Sequence, residues 1–170
     1  MFRLAPEKPE DLYEVEYLFD LAFAPGREAL SSYRLREGVD RIADLSLVAR
    51  DATDGIAGAI RYWPVLIGET GYSALLLGPV AVHPTHQGEG LGASLIWESL
   101  ERARQAGWTR VLLVGDEPYY RRFGFKRAAG FEFPPPTNPD RLLAMELVDG
   151  GLTGVRGMVR KYEVAAASEA

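Results

Sequence analysis

The sequence predicts an α/β fold organised around one strand–helix–strand crossover, and two observations carry this prediction. Residues 74–82 and 111–114 form almost unbroken apolar runs, which are typical of strands covered on both faces. Between these runs, residues 91–106 place apolar side chains at helical spacing, and Gly107 is the expected end of the helix. A helix that connects two buried strands makes them parallel neighbours in one sheet.

The turn between the first strand and this helix is rich in glycine and reads Gln-Gly-Glu-Gly-Leu-Gly over residues 87–92. Glycines remove side chains where the chain enters the helix, so the first helical amides can face outward. These amides have no partner within the helix and lie at the positive end of its dipole. The turn is therefore predicted to bind a phosphate group.

The first strand of the crossover contains Gly78-Pro79 in its interior. Because proline cannot donate a backbone hydrogen bond to a sheet, Pro79 predicts a bulge or a place where a neighbouring strand separates. We therefore expect the strands over 75–82 and 111–114 to run parallel but to diverge at their C-terminal ends. Such a divergence would leave a slot beside the predicted phosphate site.

The remaining elements are assigned from apolar spacing and from turn residues. Helices are predicted over residues 10–23, 27–37 and 119–123. Further strands are predicted over residues 2–4, 45–49, 56–66, 125–131, 142–147 and 158–162. We expect a single domain over residues 1–163 and a disordered tail over residues 164–170.

Composition excludes several classes of function. The net charge of −5 argues against a general nucleic-acid binder. The chain has no cysteine, which fits a reducing cytoplasm, and His83 and His86 are its only histidines, so we expect no metal site. The sequence shows neither a signal peptide nor a long apolar span, so we expect a cytoplasmic protein that does not insert into a membrane.

Two segments together resemble the GNAT superfamily of N-acetyltransferases. Val80-Ala81-Val82-His83-Pro84, leading into residues 87–92, is similar to the loop with which this family holds the pyrophosphate of acyl-CoA. Residues 119–125, Tyr-Tyr-Arg-Arg-Phe-Gly-Phe, are similar to the family's tyrosine-bearing helix. The sequence of residues 114–120 resembles that of the YhbS-like branch of bacterial acetyltransferases. The resemblance implies a central mixed, mostly antiparallel sheet with a splayed parallel strand pair, flanked by helices.

The resemblance also implies acetyl-CoA as cosubstrate and a primary amine of a small molecule or peptide as acceptor, attacked directly and without a metal. The diphosphate would lie on the amides of the glycine-rich turn, and the pantetheine arm would pair with an exposed strand edge. A homodimer is common in the family. The residues implied to contact the cofactor are Val80, Ala81, Val82, Gln87, Gly88, Glu89, Gly90, Leu91, Gly92, Ala93, Tyr119 and Phe123.

Tyr120 occupies the position of the family's general acid, which protonates the departing thiolate. An ordinary tyrosine has a pKa of about 10 and can donate to a thiolate of pKa about 8.5. Asp116 is a second candidate, either holding water or the amine, or simply capping the following helix. The sequence departs from the family pattern twice: the strand over 75–82 has no carboxylate to act as base, and Glu89 stands where a basic residue is common.

Two alternatives remain open at this point. Residues 88–93 can be read as the G-x-G-x-x-A pattern of dinucleotide-binding oxidoreductases, although the pattern does not follow its strand immediately and further parallel repeats are lacking. The second alternative is an acyl-CoA-binding module without turnover. The acceptor itself is not identified, but residues 22–36 and 131–139 are the expected source of its binding site.

Overall fold

The computed structural model describes residues 1–23 and 31–163, and the structural statements below concern these residues. The predicted tail over 164–170 and residues 27–30 of the predicted second helix lie outside this part of the chain. The described strands are β1 (Arg3–Pro6), β2 (Leu47–Arg50), β3 (Ile56–Ile67), β4 (Tyr72–Val82), β5 (Arg110–Val114), β6 (Lys126–Arg127), β7 (Phe131–Glu132), β8 (Leu142–Glu146) and β9 (Gly157–Lys161). The α-helices are α1 (Leu12–Ala22), α2 (Ser31–Arg34), α3 (Leu91–Gln105) and α4 (Glu117–Tyr120).

The strands form a mixed and mostly antiparallel sheet in the order β1-β2-β3-β4-β5-β8-β6, with β9 beside one end of β3. Within the described residues, the parallel pairs are β4 with β5 and the short pair β7 with β9. The predicted mixed sheet is confirmed. A dinucleotide-binding fold needs a series of parallel strands joined by helices, and this topology does not provide one.

The predicted divergence of the central parallel strands is confirmed. β4 pairs with β5 only at Leu75 and Leu76, opposite Val111 and Leu112. Beyond this point β5 pairs with β8 on its other side as far as Val114, whereas β4 continues against β3 to its end. The C-terminal halves of the two strands therefore separate and leave a gap in the sheet.

The bulge predicted at Pro79 is also confirmed. In the β3–β4 pair, Ile60 lies opposite Val80 and Tyr62 lies opposite Leu77. Gly78 and Pro79 together therefore oppose Arg61 alone, and this extra residue is the mark of a bulge. The bulge lies at the point where β4 loses its contact with β5.

Helices cover both faces of the sheet around the gap. The buried side of α3 packs through Leu91, Leu95 and Leu100 into the main core, while Val15, Leu18 and Phe19 of α1 pack against Ala81 on the opposite face. Side chains alternate between the faces of a strand, so Val80 and Val82 point to the α3 side. The end of β4 is thus held between two helices.

Two sequence predictions are wrong in detail. The strand predicted over 125–131 is two short strands, β6 and β7, separated by a turn at Gly130, which has a φ of +87°. In the described part of the predicted second helix, α2 ends at Arg34 and tight turns follow, with Arg36 N donating to Tyr33 O. The Arg36 side chain is buried in these turns, where the prediction had continued the helix.

Candidate active site

The gap between β4 and β5 opens into a cavity of about 270 Å³, called here the strand-end cavity. One wall is the bulged segment of β4, and the other is the end of β5 with the start of α4. Residues of α2 and the turns after it lie across from them. The lining residues are Phe23, Tyr33, Arg36, Leu76, Leu77, Gly78, Pro79, Val80, Leu113, Val114, Gly115, Asp116, Tyr119, Tyr120 and Arg141.

The edge of β4 that faces this cavity carries no neighbouring strand beyond Leu76 in the described part of the chain. The backbone groups of such an edge can pair with an extended ligand that carries amides. The bulge itself is fixed by Trp63 on β3, whose indole Nε1 donates to the carbonyl oxygen of Gly78 at 2.7 Å. The open edge is therefore held in place without a partner strand.

The glycine-rich turn follows the end of β4 and leads into the N-terminus of α3. Gly90 is the N-cap residue with a φ of +77°, and Gly88 has a φ of +87°, so both adopt a backbone conformation that favours glycine. The helix's hydrogen bonding begins with Ser94 N donating to Gly90 O at 3.1 Å. The amides of the three residues between Gly90 and Ser94 precede this bond and carry the positive end of the dipole. Residues 88–92 are called here the amide cradle.

Side chains around the cradle hold the turn rather than fill it. The Gln87 side-chain amide donates to the carbonyl oxygen of Val82 at 3.5 Å, and His83 Nδ1 bonds with Thr85 at 2.8 Å. The Glu89 carboxylate is 3.2 Å from His86 Nδ1. Within the described residues, no group of three His, Asp or Glu side chains is placed to hold a metal ion.

Some of the residues predicted to contact the cofactor are buried, and others are accessible. Ala81, Leu91 and Phe123 are buried in the core, so the first two can offer a ligand only backbone atoms. Gly92 is half-buried and lies near Tyr119, whose hydroxyl oxygen is 3.6 Å from where a Cβ on Gly92 would sit. Tyr119 is 37% exposed, and its hydroxyl lies beside the N-terminal turn of α3.

The structure places Tyr120 in the wall of the strand-end cavity, at the C-terminal end of α4. Its half-buried ring packs edge-on against Tyr119 and Phe125, with centroid distances of 4.9 and 5.9 Å. Burial, and then the nearby Tyr119 and Asp116, raises the pKa of Tyr120 to about 12. The hydroxyl therefore keeps its proton at neutral pH and can act as a donor.

Asp116 lines the same cavity but is engaged elsewhere. It occupies the N-cap position of α4, yet its side chain makes no capping hydrogen bond. Its carboxylate instead accepts a hydrogen bond from Arg141 Nη1 at 2.5 Å, on an exposed part of the rim. The capping role offered by the sequence is therefore wrong, because Arg141 takes the carboxylate.

Sequence reasoning missed Gly115, which positions Tyr120. A Cβ at Gly115 would lie 2.5 Å from Tyr120 Cε2, so only glycine lets the ring approach the backbone so closely. The sequence does show a glycine directly after the buried strand β5. It does not show that the Tyr120 ring packs against this glycine, so the role of Gly115 could not be predicted.

A second cavity of about 250 Å³, called here the side cavity, adjoins the first. The two cavities share Tyr33, Arg36 and Pro79. Glu16, Glu37, Arg61 and Trp63 complete the lining of the side cavity. Tyr33 and Arg36 of the expected stretch 22–36 thus line both cavities, while a role in binding the acceptor stays a prediction. Arg34 donates to Pro135 O, within the expected stretch 131–139, at 3.0 Å.

Comparisons of sequence agree with this geometry. The profile of the acetyltransferase (GNAT) domain matches residues 4–128. The chain is 30% identical over 159 residues to the N-acetyltransferase YhbS of Escherichia coli (strain K12), covering 92% of this chain and 94% of that protein. It is 33% identical over 128 residues to the N-acetyltransferase YjhQ of the same strain, covering 74% of this chain and 69% of that protein.

Comparisons of structure lead to the same group. The fold matches E. coli YhbS in complex with CoA at a TM-score of 0.78 and 29% identity, covering 96% of this chain and 89% of that one. It matches a GNAT acetyltransferase of Brucella melitensis in complex with acetyl-CoA at a TM-score of 0.72 and 31% identity, covering 97% of each chain. This protein therefore belongs to the GNAT family of acyl-CoA-dependent N-acetyltransferases.

Proposed function

We propose that this protein transfers the acetyl group of acetyl-CoA to a primary amine by direct attack, with Tyr120 as the general acid. The observation that carries the proposal is the separation of β4 and β5, which opens a cavity lined by Tyr120 beside the strand that leads into the amide cradle. A long ligand with a phosphate end and a reactive end fits this arrangement. Two relatives of similar structure hold CoA or acetyl-CoA.

The cofactor would use the backbone more than the side chains. Its diphosphate would accept hydrogen bonds from the amides of residues 88–92, where no atom of the described residues lies within 4 Å of a Cβ position on Gly88 or Gly90. The pantetheine arm would pair along the open edge of β4 from Leu77 to Val82. The thioester then enters the strand-end cavity beside Tyr120.

The reaction follows from these positions. The neutral amine attacks the thioester carbonyl carbon, the new C–N bond forms, and the C–S bond breaks to release a thiolate. The Tyr120 hydroxyl gives its proton to that thiolate, and the amine nitrogen loses a proton to water or to a base. Because the Tyr120 pKa is raised to about 12, the hydroxyl is a weaker acid than an ordinary tyrosine, and the tyrosinate that results regains a proton from water.

The base is not supplied by β4, since residues 72–82 include no carboxylate. We propose that Asp116 holds the acceptor or a water molecule at the cavity rim, where its pair with Arg141 fixes the carboxylate. The cytoplasmic location and the homodimer stay predictions. In residues 1–23 and 31–163, no helix is both long enough and apolar enough to cross a bilayer.

Two measurements test the proposal. Calorimetric titration with acetyl-CoA in the presence of EDTA should show binding without added metal. Thiol release from acetyl-CoA, followed against a panel of amines and amino acids, should then show acceptor-dependent turnover. Binding without turnover for every acceptor would support the acyl-CoA-binding module instead, and a strict metal requirement would contradict the binding mode.

A further inference from the structure

Arg122 differs from Arg121 and Arg141 in having no carboxylate partner among the described residues. Arg121 donates two hydrogen bonds to the Glu117 carboxylate at 2.7 and 2.8 Å, and Arg141 pairs with Asp116 at the cavity rim. The exposed side chain of Arg122 contacts only a backbone carbonyl and two aromatic rings within the part of the chain that the structure describes. Its positive charge is therefore available to a ligand.

The guanidinium of Arg122 is held against the aromatic rings beside it. Its central carbon lies 4.2 Å from the centroid of Tyr119 and 5.2 Å from that of Phe123. Its Nε atom donates to the carbonyl oxygen of Tyr119 at 3.3 Å. The two terminal nitrogens have no hydrogen-bond partner among the described residues, so a preoriented pair of donors points to a ligand that carries an anion.

Tyr119 connects Arg122 to the amide cradle. Its hydroxyl oxygen is 3.6 Å from the position of a Cβ on Gly92, at the cradle, while its ring carries the Arg122 guanidinium. A single tyrosine side chain thus spans the distance between the two sites. A ligand with one phosphate group on the cradle therefore needs only a short extension to bring a second phosphate to Arg122.

The aromatic surface next to Arg122 suits the nucleoside between two such phosphates. The ring centroid of Phe123 lies 5.6 Å from that of Tyr119 and 5.0 Å from that of Trp97. Trp97 is 52% exposed, so this cluster reaches the surface on the cradle side of α3. Exposed aromatic rings provide a stacking surface for a nucleobase. The cradle, the rings and the guanidinium together match a nucleotide that has phosphates at two positions of its ribose.

The cradle itself supplies no full positive charge. Its helix amides carry partial charges, and the side chain within it that ionises is the carboxylate of Glu89, 3.2 Å from His86 Nδ1. CoA carries a diphosphate on the 5′ position of its ribose and a further phosphate on the 3′ position. Resting on the proposed function, we propose that Arg122 binds the 3′-phosphate of CoA and makes the enzyme distinguish CoA from its 3′-dephosphorylated form.

The test uses two ligands that differ only in this phosphate. Calorimetry measures the affinity of the wild type for CoA and for 3′-dephospho-CoA. We expect CoA to bind more than about tenfold more tightly, because the guanidinium can donate two charge-assisted hydrogen bonds to the 3′-phosphate and none to the free hydroxyl that replaces it. Equal affinities, or tighter binding of 3′-dephospho-CoA, would overturn the proposal.

Variants assign the preference to Arg122. Arg122→Gln should reduce it to less than about threefold by weakening CoA binding alone, and Arg122→Lys should restore part of it, since lysine keeps the charge but not the paired donors. Arg121→Gln is the matched control: it removes the same charge from the adjacent residue, whose guanidinium is already bound to Glu117. This control should keep the wild-type preference.

Three results would overturn the assignment to Arg122. An unchanged preference in Arg122→Gln would mean that another group binds the phosphate. An equal weakening of both ligands in Arg122→Gln would mean that Arg122 only supports Tyr119. A loss of preference in Arg121→Gln as large as in Arg122→Gln would mean that the overall charge of this segment is responsible.

Failure of this inference can be told from failure of the proposed function. If neither CoA nor 3′-dephospho-CoA binds, both are wrong. If the ligands bind but no amine acceptor reacts, the transfer reaction is wrong, and the two affinities still decide whether Arg122 binds the 3′-phosphate.

Discussion

The proposed cofactor side and the proposed acceptor side of this site are built from different parts of the chain. The cofactor side consists mainly of backbone: the amides of residues 88–92 and the open edge of β4. The acceptor side consists of side chains that come from separate elements, among them Tyr33, Trp63 and Arg141. A backbone site needs a continuous stretch with glycines at fixed places, whereas a side-chain site needs only that distant residues meet. The first kind can therefore be found in a sequence, and the second can be found only in a structure.

The largest expected effect is on the reactive end of the strand-end cavity. Tyr120→Phe removes the proposed proton donor but keeps the ring that packs against Phe125. We expect turnover to fall by about 10²-fold or more and acetyl-CoA affinity to change little, because the hydroxyl acts only as the thiolate departs. Steady-state kinetics and calorimetric affinity, measured in parallel, check this.

The neighbouring tyrosine provides the control. Tyr119→Phe removes a hydroxyl that lies near Gly92 at the cofactor side, so it should affect acetyl-CoA affinity modestly and turnover much less than Tyr120→Phe does. Full turnover in Tyr120→Phe together with a loss in Tyr119→Phe would place the acid on the other tyrosine. Full turnover in both variants would remove the tyrosine from the mechanism.

The next effect tests the backbone character of the cofactor side. Gly90→Val places a branched side chain where the diphosphate would lie, at a residue with a φ of +77°. We expect acetyl-CoA affinity to fall by more than about tenfold while the domain stays folded. Gly107→Val is a matched control at the opposite end of α3, since Gly107 also has a positive φ, of +94°, and open space around its Cβ position. An equal loss of affinity in both variants would mean that backbone strain causes the loss, and not a collision between the new side chain and the diphosphate.

A smaller effect is expected where backbone and side chain meet. Gly115→Ala places a Cβ 2.5 Å from Tyr120 Cε2, so the ring must move away from its position in the cavity wall. We expect turnover to fall by roughly tenfold with acetyl-CoA affinity nearly unchanged, since a small displacement of a catalytic group is costly. Gly55→Ala is the control, because its Cβ would meet only the Asp51 side chain, at 3.4 Å. A normal turnover in Gly115→Ala would show that the position of the ring is not critical.

The features that the sequence predicted belong to the backbone part of the site, and those that it did not predict belong to the side-chain part. Residues 74–114 predicted the crossover, the bulge at Pro79 and the divergence of the strands, because each depends on local rules for proline, glycine and apolar runs. The role of Gly115 was not predicted, since it depends on a contact with Tyr120 that local rules do not specify. The short strands β6 and β7 were merged for the same reason, because pairing with different partners separates them.

The smallest expected effect concerns pH, and it tests whether Tyr120 acts in its protonated form. Burial raises the pKa of Tyr120 to about 12, above the usual value of about 10. The acid should therefore remain available, and kcat/KM should show no falling limb below about pH 10. A falling limb near neutral pH that disappears in Tyr120→Phe would contradict this.

The raised pKa of Tyr120 also makes the stability of the folded protein depend on pH. Because the pKa of Tyr120 is higher in the folded state, the folded protein retains a proton that the unfolded chain loses. Its contribution is complete below about pH 10 and is lost as the pH rises toward 12. The melting temperature of the wild type should therefore fall relative to that of Tyr120→Phe over this interval. The buried Tyr62 also has a raised pKa, caused mainly by burial and in smaller part by the charge of Tyr120, so its coupling to Tyr120 adds to the same fall. A constant difference in melting temperature across the interval would mean that the Tyr120 hydroxyl titrates as an exposed tyrosine does, and the cavity wall would then be wetter than its packing indicates.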